Sequence, residues 1–428
     1  MKRRKIVTGL DIGTTKICAL IAEVSGDNNI EIIGIGLAPS NGLRKGIVVD
    51  IDKTSHAIKS AIQKAERMAG QKVDSAYVGI AGSHIKSINS HGVVAVTGDE
   101  KEIKESDIKR VIDAARIIPV SAEEDILHVL PREFIVDGSP GIQDPLGMSG
   151  VRLEVETHII KGASTSIQNL VKSVLRAGLS VDEVVLEPLA SSQAVLSDDE
   201  KELGAVLVDI GGGTTDVIVF HEGSIAHTSV IPVGGNHVSN DIAVGLRTPV
   251  SEAEKIKIMH GSVLPGEIND QEKIEVLAAS GKKRKKLSRK MLCQVIEPRM
   301  SEVFSLIRKE LDSAGTADMT PAGMILTGGA SLLEGSEKLA SDITELPVRI
   351  GEPDYVSGLS NVIDNPVYIK KGDTIPRAIF STAVGLIEFA LENGDAKNSK
   401  LSSNSNNNSK EIVSGFFTKL KNWFSEFF

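Results

Sequence analysis

Two stretches of the chain carry the same order of apolar and polar positions. Ile6 to Ile21 reads I-V-T-G-L-D-I-G-T-T-K-I-C-A-L-I, and Ala205 to Phe220 reads A-V-L-V-D-I-G-G-G-T-T-D-V-I-V-F. Each is a β-branched run, then Asp-Ile-Gly, then Gly and Thr residues, then a second β-branched run. Such runs around a Gly-bearing turn predict a β-hairpin in each. Asp11 and Asp209 hold the same place, 198 residues apart (209 − 11). Two similar halves imply two related α/β domains facing each other.

The rest of the pattern fills in around them. A strand is predicted at Ile30–Ile35, and a short Gly-bounded segment (Gly46–Asp50) follows. Ala57, Ile58, Ala61, Ile62, Ala65, Met68 and Ala69 recur at helical spacing, which predicts a helix from Thr54 to Ala69. Strand Ser75–Ala81 comes next. Residues 83–160 break the rhythm with Val93–Val96, a charged helix (Glu105–Ile117), Ile126–Val129, Phe134–Val136, a Gly/Pro-rich turn and strand Arg152–Ile160. This reads as an inserted α+β subdomain. A helix (Ser166–Ala177) and a strand-to-helix segment (Val184–Leu196) rejoin the first domain. The second half predicts helices at Ser251–His260, Met291–Leu311, Leu332–Ser341 and Pro376–Leu391, with a strand at Gly323–Leu326. The expected division is a first domain of 1–82, 161–202 and 366–391, the insert 83–160, and a second domain of 203–250 and 317–365. A small subdomain (251–316), a linker (392–410) and a tail (411–428) complete it.

Composition sharpens the last two segments. Asn393 to Lys410 holds six Asn and five Ser, with Leu401 its one large apolar side chain, so it buries too little to fold. Of 14 aromatic residues, six stand beyond it: Phe416, Phe417, Trp423, Phe424, Phe427 and Phe428. The 428 residues suggest two or three domains. The net charge of −9 gives no global reason to seek nucleic acid. Two cysteines, Cys18 and Cys293, are too few to cross-link a fold this size and point to a reducing cytosol. The apolar run after the basic start ends at Asp11, short of a signal peptide, and no stretch nears the ~18 apolar residues of a membrane span.

The Gly-rich turns point to phosphate. Bare backbone N–H groups approach phosphate oxygens closely. There is no G-x-x-x-x-G-K-[ST]. Gly211-Gly212-Gly213 leads into a second apolar strand, whereas a Rossmann fingerprint must open a helix. What remains is two hairpins converging on one ligand. Gly13, Thr14, Thr15 and Lys16 from one side, and Gly211, Gly212, Gly213, Thr214 and Thr215 from the other, would clasp the phosphates. Asp11 and Asp209 would hold a hydrated Mg²⁺. Gly328, Gly329 and Ala330 are small enough to lie against adenine. Glu254 and Lys257 share a helix face and would hold ribose hydroxyls or simply pair with each other. Glu187 would orient water at the γ-phosphate or stand as a plain surface acid.

The order of Asp11–Lys16, Glu187–Ser191, Asp209–Asp216, Thr327–Leu333 and Ala383–Leu386 resembles the actin, DnaK-type chaperone and sugar kinase superfamily. Within it the chain resembles the FtsA family of bacterial actin-like cell division proteins. The stretches Gly46–Ile51, Gly82–Asn89 and Asp144–Leu153 carry that closer likeness, which covers roughly residues 5–391 and the tail. The resemblance implies duplicated actin-like, ribonuclease H-like domains around a cleft that binds ATP with Mg²⁺. Further, it implies actin-like protofilaments, an FtsZ anchor at the division site on the cytoplasmic face of the inner membrane, and recruitment of later division proteins by the insert. Arg299 and Glu302 would receive an FtsZ peptide. Hydrolysis stays open, because a switch and an enzyme need the same pocket.

On a helix at 100° per residue, Val413, Phe416, Phe417, Leu420, Trp423, Phe424, Phe427 and Phe428 share one face, with Lys419 and Lys421 at its margins. That is the layout of an interfacial helix on anionic phospholipid. Docking into a partner's groove or onto the protein's own core are the alternatives. Two lysines add about 1 kcal/mol each at an anionic surface. One tail would bind reversibly, and a filament of tails by avidity. Lys282–Lys290 holds seven bases in nine residues without interleaved aromatics, which predicts a solvated loop. The rival functions are a small-molecule kinase or a pilus-assembly ATPase of the same superfamily. A chaperone would need a further peptide-binding domain.

Overall fold

The structure is a computed structural model. It describes residues 5–402 except 27–28, 99, 280–282, 354–355 and 360–375, with the backbone alone for 393–402. The chain divides into two compact units, Met1–Glu388 and Phe389–Phe428. The tail reading at 411–428 lies outside the described residues, as do 403–410 of the expected linker.

The first unit opens with β1 (Lys5–Ile12), β2 (Lys16–Val24) and β3 (Ile30–Pro39). A small hairpin, β4 (Leu43–Arg44) and β5 (Ile47–Val48), leads to α1 (Ile51–Ala69) and β6 (Ser75–Ile80). Asp50 caps α1 by accepting from the Lys53 N–H, and Gly70 ends it in the left-handed region. The helix lies so close on the sheet that a Cβ at Gly36 would stand 1.8 Å from the Ala61 carbonyl oxygen. The insert follows: β7 (Ile85–Ala95), α2 (Glu105–Ala115), β8 (Glu124–Val136), β9 (Ser139–Ile142) and β10 (Arg152–Ala163). Then come α3 (Ser164–Arg176), β11 (Ser180–Leu186), α4 (Glu187–Val195) and α5 (Asp198–Leu203).

The second half repeats the plan with β12 (Ala205–Ile210), β13 (Thr215–His221) and β14 (Ser224–Ile231). Helices α6 (Gly235–Gly245) and α7 (Val250–His260) precede the hairpin β15 (Lys273–Leu277) and β16 (Arg284–Ser288). After it run α8 (Arg289–Ala314), β17 (Met324–Thr327), α9 (Ser336–Thr344), β18 (Val348–Ile350) and α10 (Ser381–Ser402).

Two five-stranded sheets result, ordered β3-β2-β1-β6-β11 and β14-β13-β12-β17-β18. In both, a three-stranded antiparallel meander is extended by two parallel strands. The duplication read from two hairpins is therefore a duplication of whole sheets. The insert has its own sheet, β7-β10-β8-β9, and its own core of Ile103, Val111, Ala115, Phe134, Val136, Leu153 and Val155. It touches the second half at β14. Ser87 Oγ donates to the Thr228 carbonyl at 3.0 Å, and His158 Nε2 lies 2.9 Å from Thr228 Oγ1.

Four expectations change. The two short strands expected at 126–136 are one strand, because the ladder absorbs Pro131 at a register shift, where a missing N–H does little harm. The basic segment is not a loop: 284–288 form β16 and Arg289 opens α8. Alternation explains this, since Ile274 and Val276 are buried and pair with Leu287 and Lys285. The helix expected at 332–341 begins at Ser336. Finally, α10 carries on to Ser402, through residues expected to begin the linker. Ala396, Lys397, Lys400 and Leu401 are good helix formers, and extending an existing helix adds one hydrogen bond per residue without a new nucleus.

Candidate functional site

The two hairpin turns are built alike. Pairs Ile12↔Ile17 and Ile210↔Thr215 each enclose four residues, 13–16 and 211–214. Each turn closes with the same bond at 3.0 Å, Gly13 N–H to the Lys16 carbonyl and Gly211 N–H to the Thr214 carbonyl. Among the described residues, the amides of Thr14, Thr15, Gly212 and Gly213 have no backbone acceptor. The turns meet across a cleft. A Cβ at Gly212 would lie 1.8 Å from Thr15 Oγ1, and one at Gly213 2.6 Å from Thr14 Oγ1. Only glycine permits that approach. Gly46 N–H donates to Thr14 Oγ1 at 3.0 Å, and Thr15 Oγ1 donates to Asn236 Oδ1 at 3.3 Å.

The cleft is a cavity of about 360 Å³, within the usual size of a small-ligand site. Asp11, Gly13, Thr14, Thr15, Lys16, Glu187, Asp209, Gly211, Gly212, Gly213 and Thr214 line one part of it. Glu254, Lys257, Gly328, Gly329 and Ala330 also line it, with the apolar Ile258, Leu332, Leu333 and Ile379. Thr215 does not. Its side chain is fully buried and its hydroxyl donates to the Val233 carbonyl at 2.8 Å. The register explains the correction. Four turn residues put Lys16 opposite Thr214 in the repeat, so Thr215 matches the buried Ile17 rather than a threonine of the first turn.

Charge dominates the end lined by the two turns. Lys16 Nζ sits 2.7 Å from Asp11 Oδ2. Burial alone would lower the Lys16 ammonium, but Asp11, with Cys18 and Asp209, more than offsets that and holds it above its ordinary value. Burial raises Glu187, and Asp11, Asp216 and Asp209 raise it further. Burial likewise raises Asp209, with Asp11 adding to it against the Ser191 hydrogen bond. Asp216 is pushed up to about 8 by burial and then by Asp209. Asp216 Oδ2 accepts from the Thr214 hydroxyl at 3.0 Å, while Oδ1 is buried without a partner. Four carboxylates thus face one ammonium. Beneath them Cys18, the register partner of Asp11, is buried and its thiol is pushed up to about 12, by burial first.

At the other end Lys257 Nζ donates to the Gly235 carbonyl at 3.0 Å and pairs with Glu254 at 2.7 Å. Glu254 also accepts from Ser239. The sequence reading passed over Asp216, Asn236, Thr382 and Ser191. An aspartate opening the apolar run Val217–Phe220, directly across from Asp209, was the signal for the first. The other three come from distant elements and left none.

The family model described as "Cell division protein FtsA" matches residues 206–371, and the one described as "SHS2 domain inserted in FTSA" matches residues 82–161. The cell division protein FtsA of Pseudomonas aeruginosa is 45% identical over 98% of this chain and 97% of its own length. The chain belongs to the FtsA family of cell division proteins. The FtsA of Neisseria meningitidis is 41% identical over the full length of both, and that of Escherichia coli K12 39% identical over 92% of this chain and 93% of its own.

The fold is actin-like. The type IV pilus biogenesis complex PilM-PilN has a chain that superposes with a TM-score of 0.65 at 17% identity, covering 91% of this chain and 99% of its own. MreB5 of Spiroplasma citri bound to AMPPNP gives 0.51 at 16% identity over 93% and 99%. In this FtsA-family chain Arg299 and Glu302 stand apart from the cavity lining. Arg299 pairs with Glu302 and, through Nε at 2.7 Å, with Asp241. Among the described residues no helix is long and apolar enough to cross a membrane.

Proposed function

We propose that this chain binds ATP with Mg²⁺ between its two halves, polymerises as an actin-like filament and ties FtsZ to the cytoplasmic membrane. The observation that carries the nucleotide reading is the pair of equivalent turns, each with an aspartate at its root and unengaged amides at its tip, lining one cavity. MreB5, of the same fold, has been crystallised with AMPPNP. Thr14, Thr15, Gly212 and Gly213 offer N–H groups to phosphate, and Lys16 adds a positive charge. Ala330, Leu332, Leu333 and Ile258 give the base an apolar wall, and Glu254 and Lys257 suit ribose hydroxyls.

The acid cluster fits a divalent cation. Asp216 Oδ1 is a buried carboxylate oxygen without a partner, and burial and mutual repulsion raise Glu187, Asp209 and Asp216. Mg²⁺ keeps several waters and takes one or two carboxylates plus phosphates. Asp11 and Asp209 would hold it, and it would screen the phosphate charge. Glu187, the first residue of α4, would orient a water.

Membrane attachment rests on the amphipathic pattern of 411–428, and FtsZ anchoring, self-assembly and recruitment through the insert rest on family membership. Arg299 and Glu302 remain the candidate FtsZ contact. The test is co-sedimentation of the full chain with anionic vesicles, with and without FtsZ. The intact chain pellets and carries FtsZ down, while Trp423→Glu leaves both in the supernatant. Unchanged pelleting of Trp423→Glu overturns the membrane reading. A pellet of this chain without FtsZ overturns the anchor.

A further inference from the structure

We infer that Ser191 and Thr382 are positioning residues that set the cation-holding Asp209 according to how the two halves are placed. The inference rests on the nucleotide reading above. Among the described residues two helices bridge the two large sheets, and the start of α10 is held to β17 by Ser381 Oγ, 2.7 Å from Thr327 Oγ1. α4 runs from β11 of the first sheet toward β12 of the second. α10 follows β18 of the second and packs on β1 of the first, where a Cβ at Gly9 would meet the Ala383 carbonyl oxygen at 2.4 Å. These helices cross in direct contact, since a Cβ at Gly385 would fall 1.7 Å from the Ala190 carbonyl oxygen.

One hydroxyl from each helix meets Asp209 at this crossing. Ser191 Oγ donates to Asp209 Oδ2 at 2.9 Å. Thr382 Oγ1 lies 3.0 Å from Ser191 Oγ and 3.3 Å from Asp209 Oδ2. Ser191 is fully buried, and Thr382, which borders the cavity, is nearly so. Each hydroxyl has a single proton. The shorter bond takes the Ser191 proton to Asp209, and the Thr382 proton supports Ser191. The order is a relay, Thr382 to Ser191 to Asp209. On the other side Asp209 Oδ1 is pressed against Gly328, where a Cβ would stand 2.3 Å away. One carboxylate oxygen is therefore fixed by both crossing helices while the other faces the glycine of the nucleoside loop. Sliding α4 over α10 would alter the 3.0 Å gap and turn the carboxylate.

The relay predicts an order of effects. In the full chain, ATP affinity is measured across a Mg²⁺ titration and again in EDTA, alongside thermal unfolding. Ser191→Ala raises the half-saturating Mg²⁺ about tenfold, the scale typical of removing a group that orients a metal ligand. Thr382→Val raises it about threefold, and Thr382→Ser restores the wild-type value. Binding in EDTA stays at the wild-type level in all three. Ser191→Cys, close in size with a weak donor, gives an intermediate shift and serves if Ser191→Ala fails to fold. Superimposed Mg²⁺ curves, or equal losses in EDTA, overturn the inference and leave the nucleotide reading standing. Absence of Mg²⁺-dependent binding in the wild type overturns both.

Discussion

Residue by residue, the site is defined by where side chains are forbidden and where charge is unmet. Gly328 adopts φ +84, and a Cβ there would press on Asp209 Oδ1. Gly328→Ala should weaken Mg²⁺-dependent ATP binding at least tenfold, measured by calorimetry. Asp216 supplies a pH signature. Its folded value near 8 lies above the ordinary 3.8, so the folded state favours its protonated form. Its contribution to stability is present at low pH and is lost as pH rises through the folded value. Thermal stability without nucleotide should therefore fall between pH 6 and 8, by at most about 1.4 kcal/mol per pH unit. Asp216→Asn should flatten that slope, read by scanning calorimetry. Much of this was legible in the chain. Asp11, Asp209 and the glycines announce themselves because a turn tip needs specific residue types. Thr215 misled because two adjacent threonines look alike until strand register separates the cavity-lining Thr214 from Thr215, which faces away from the cavity. Ser191 and Thr382 were silent because hydroxyls on buried helices have no spacing that marks them.

Among the elements, contacts between units of structure matter more than propensity. α4 has almost no amphipathic pattern, since Pro188, Leu189, Ala190, Ser191, Ser192, Ala194 and Val195 are all buried. A helix hidden on every side gives no period to read. Its crossing with α10 tolerates no side chain at Gly385, and overpacking costs roughly 1–3 kcal/mol or more. Gly385→Ala should lower the urea midpoint accordingly. The insert meets β14 through His158, whose Nδ1 lies 2.7 Å from Asn89 Oδ1 and Nε2 2.9 Å from Thr228 Oγ1. Burial, then His227 and Arg132, lowers its pKa from 6.5 to about 4. The folded state keeps the ring neutral while the unfolded chain protonates it. Stability from this group is complete above 6.5 and is lost as pH falls toward 4. His128 is lowered to about 4 by burial in the same way. The acid limb of the pH–stability profile should shrink in His158→Asn, measured by denaturant titration at pH 7 and pH 5. The basic segment was misjudged for a related reason. Its charge pattern suggests a loop, but burial of Ile274 and Val276 in the core, with Ile274 paired to Leu287, decides for a hairpin.

At the scale of the molecule, two copies of one sheet plan close on one cavity, and a third sheet is inserted in the first copy. The duplication was readable because two short hairpins preserve it in sequence, even where the helices around them share nothing visible. Membership of the FtsA family gives this plan a setting in cell division. The central proposal is that the halves are joined by a Mg²⁺-nucleotide between Asp11 and Asp209. Isothermal titration of ATP into the full chain with Mg²⁺, for the wild type and Asp209→Ala, tests it most directly. Saturable one-to-one binding that weakens at least a hundredfold in Asp209→Ala is the expected result. Equal affinity in the two proteins would contradict it.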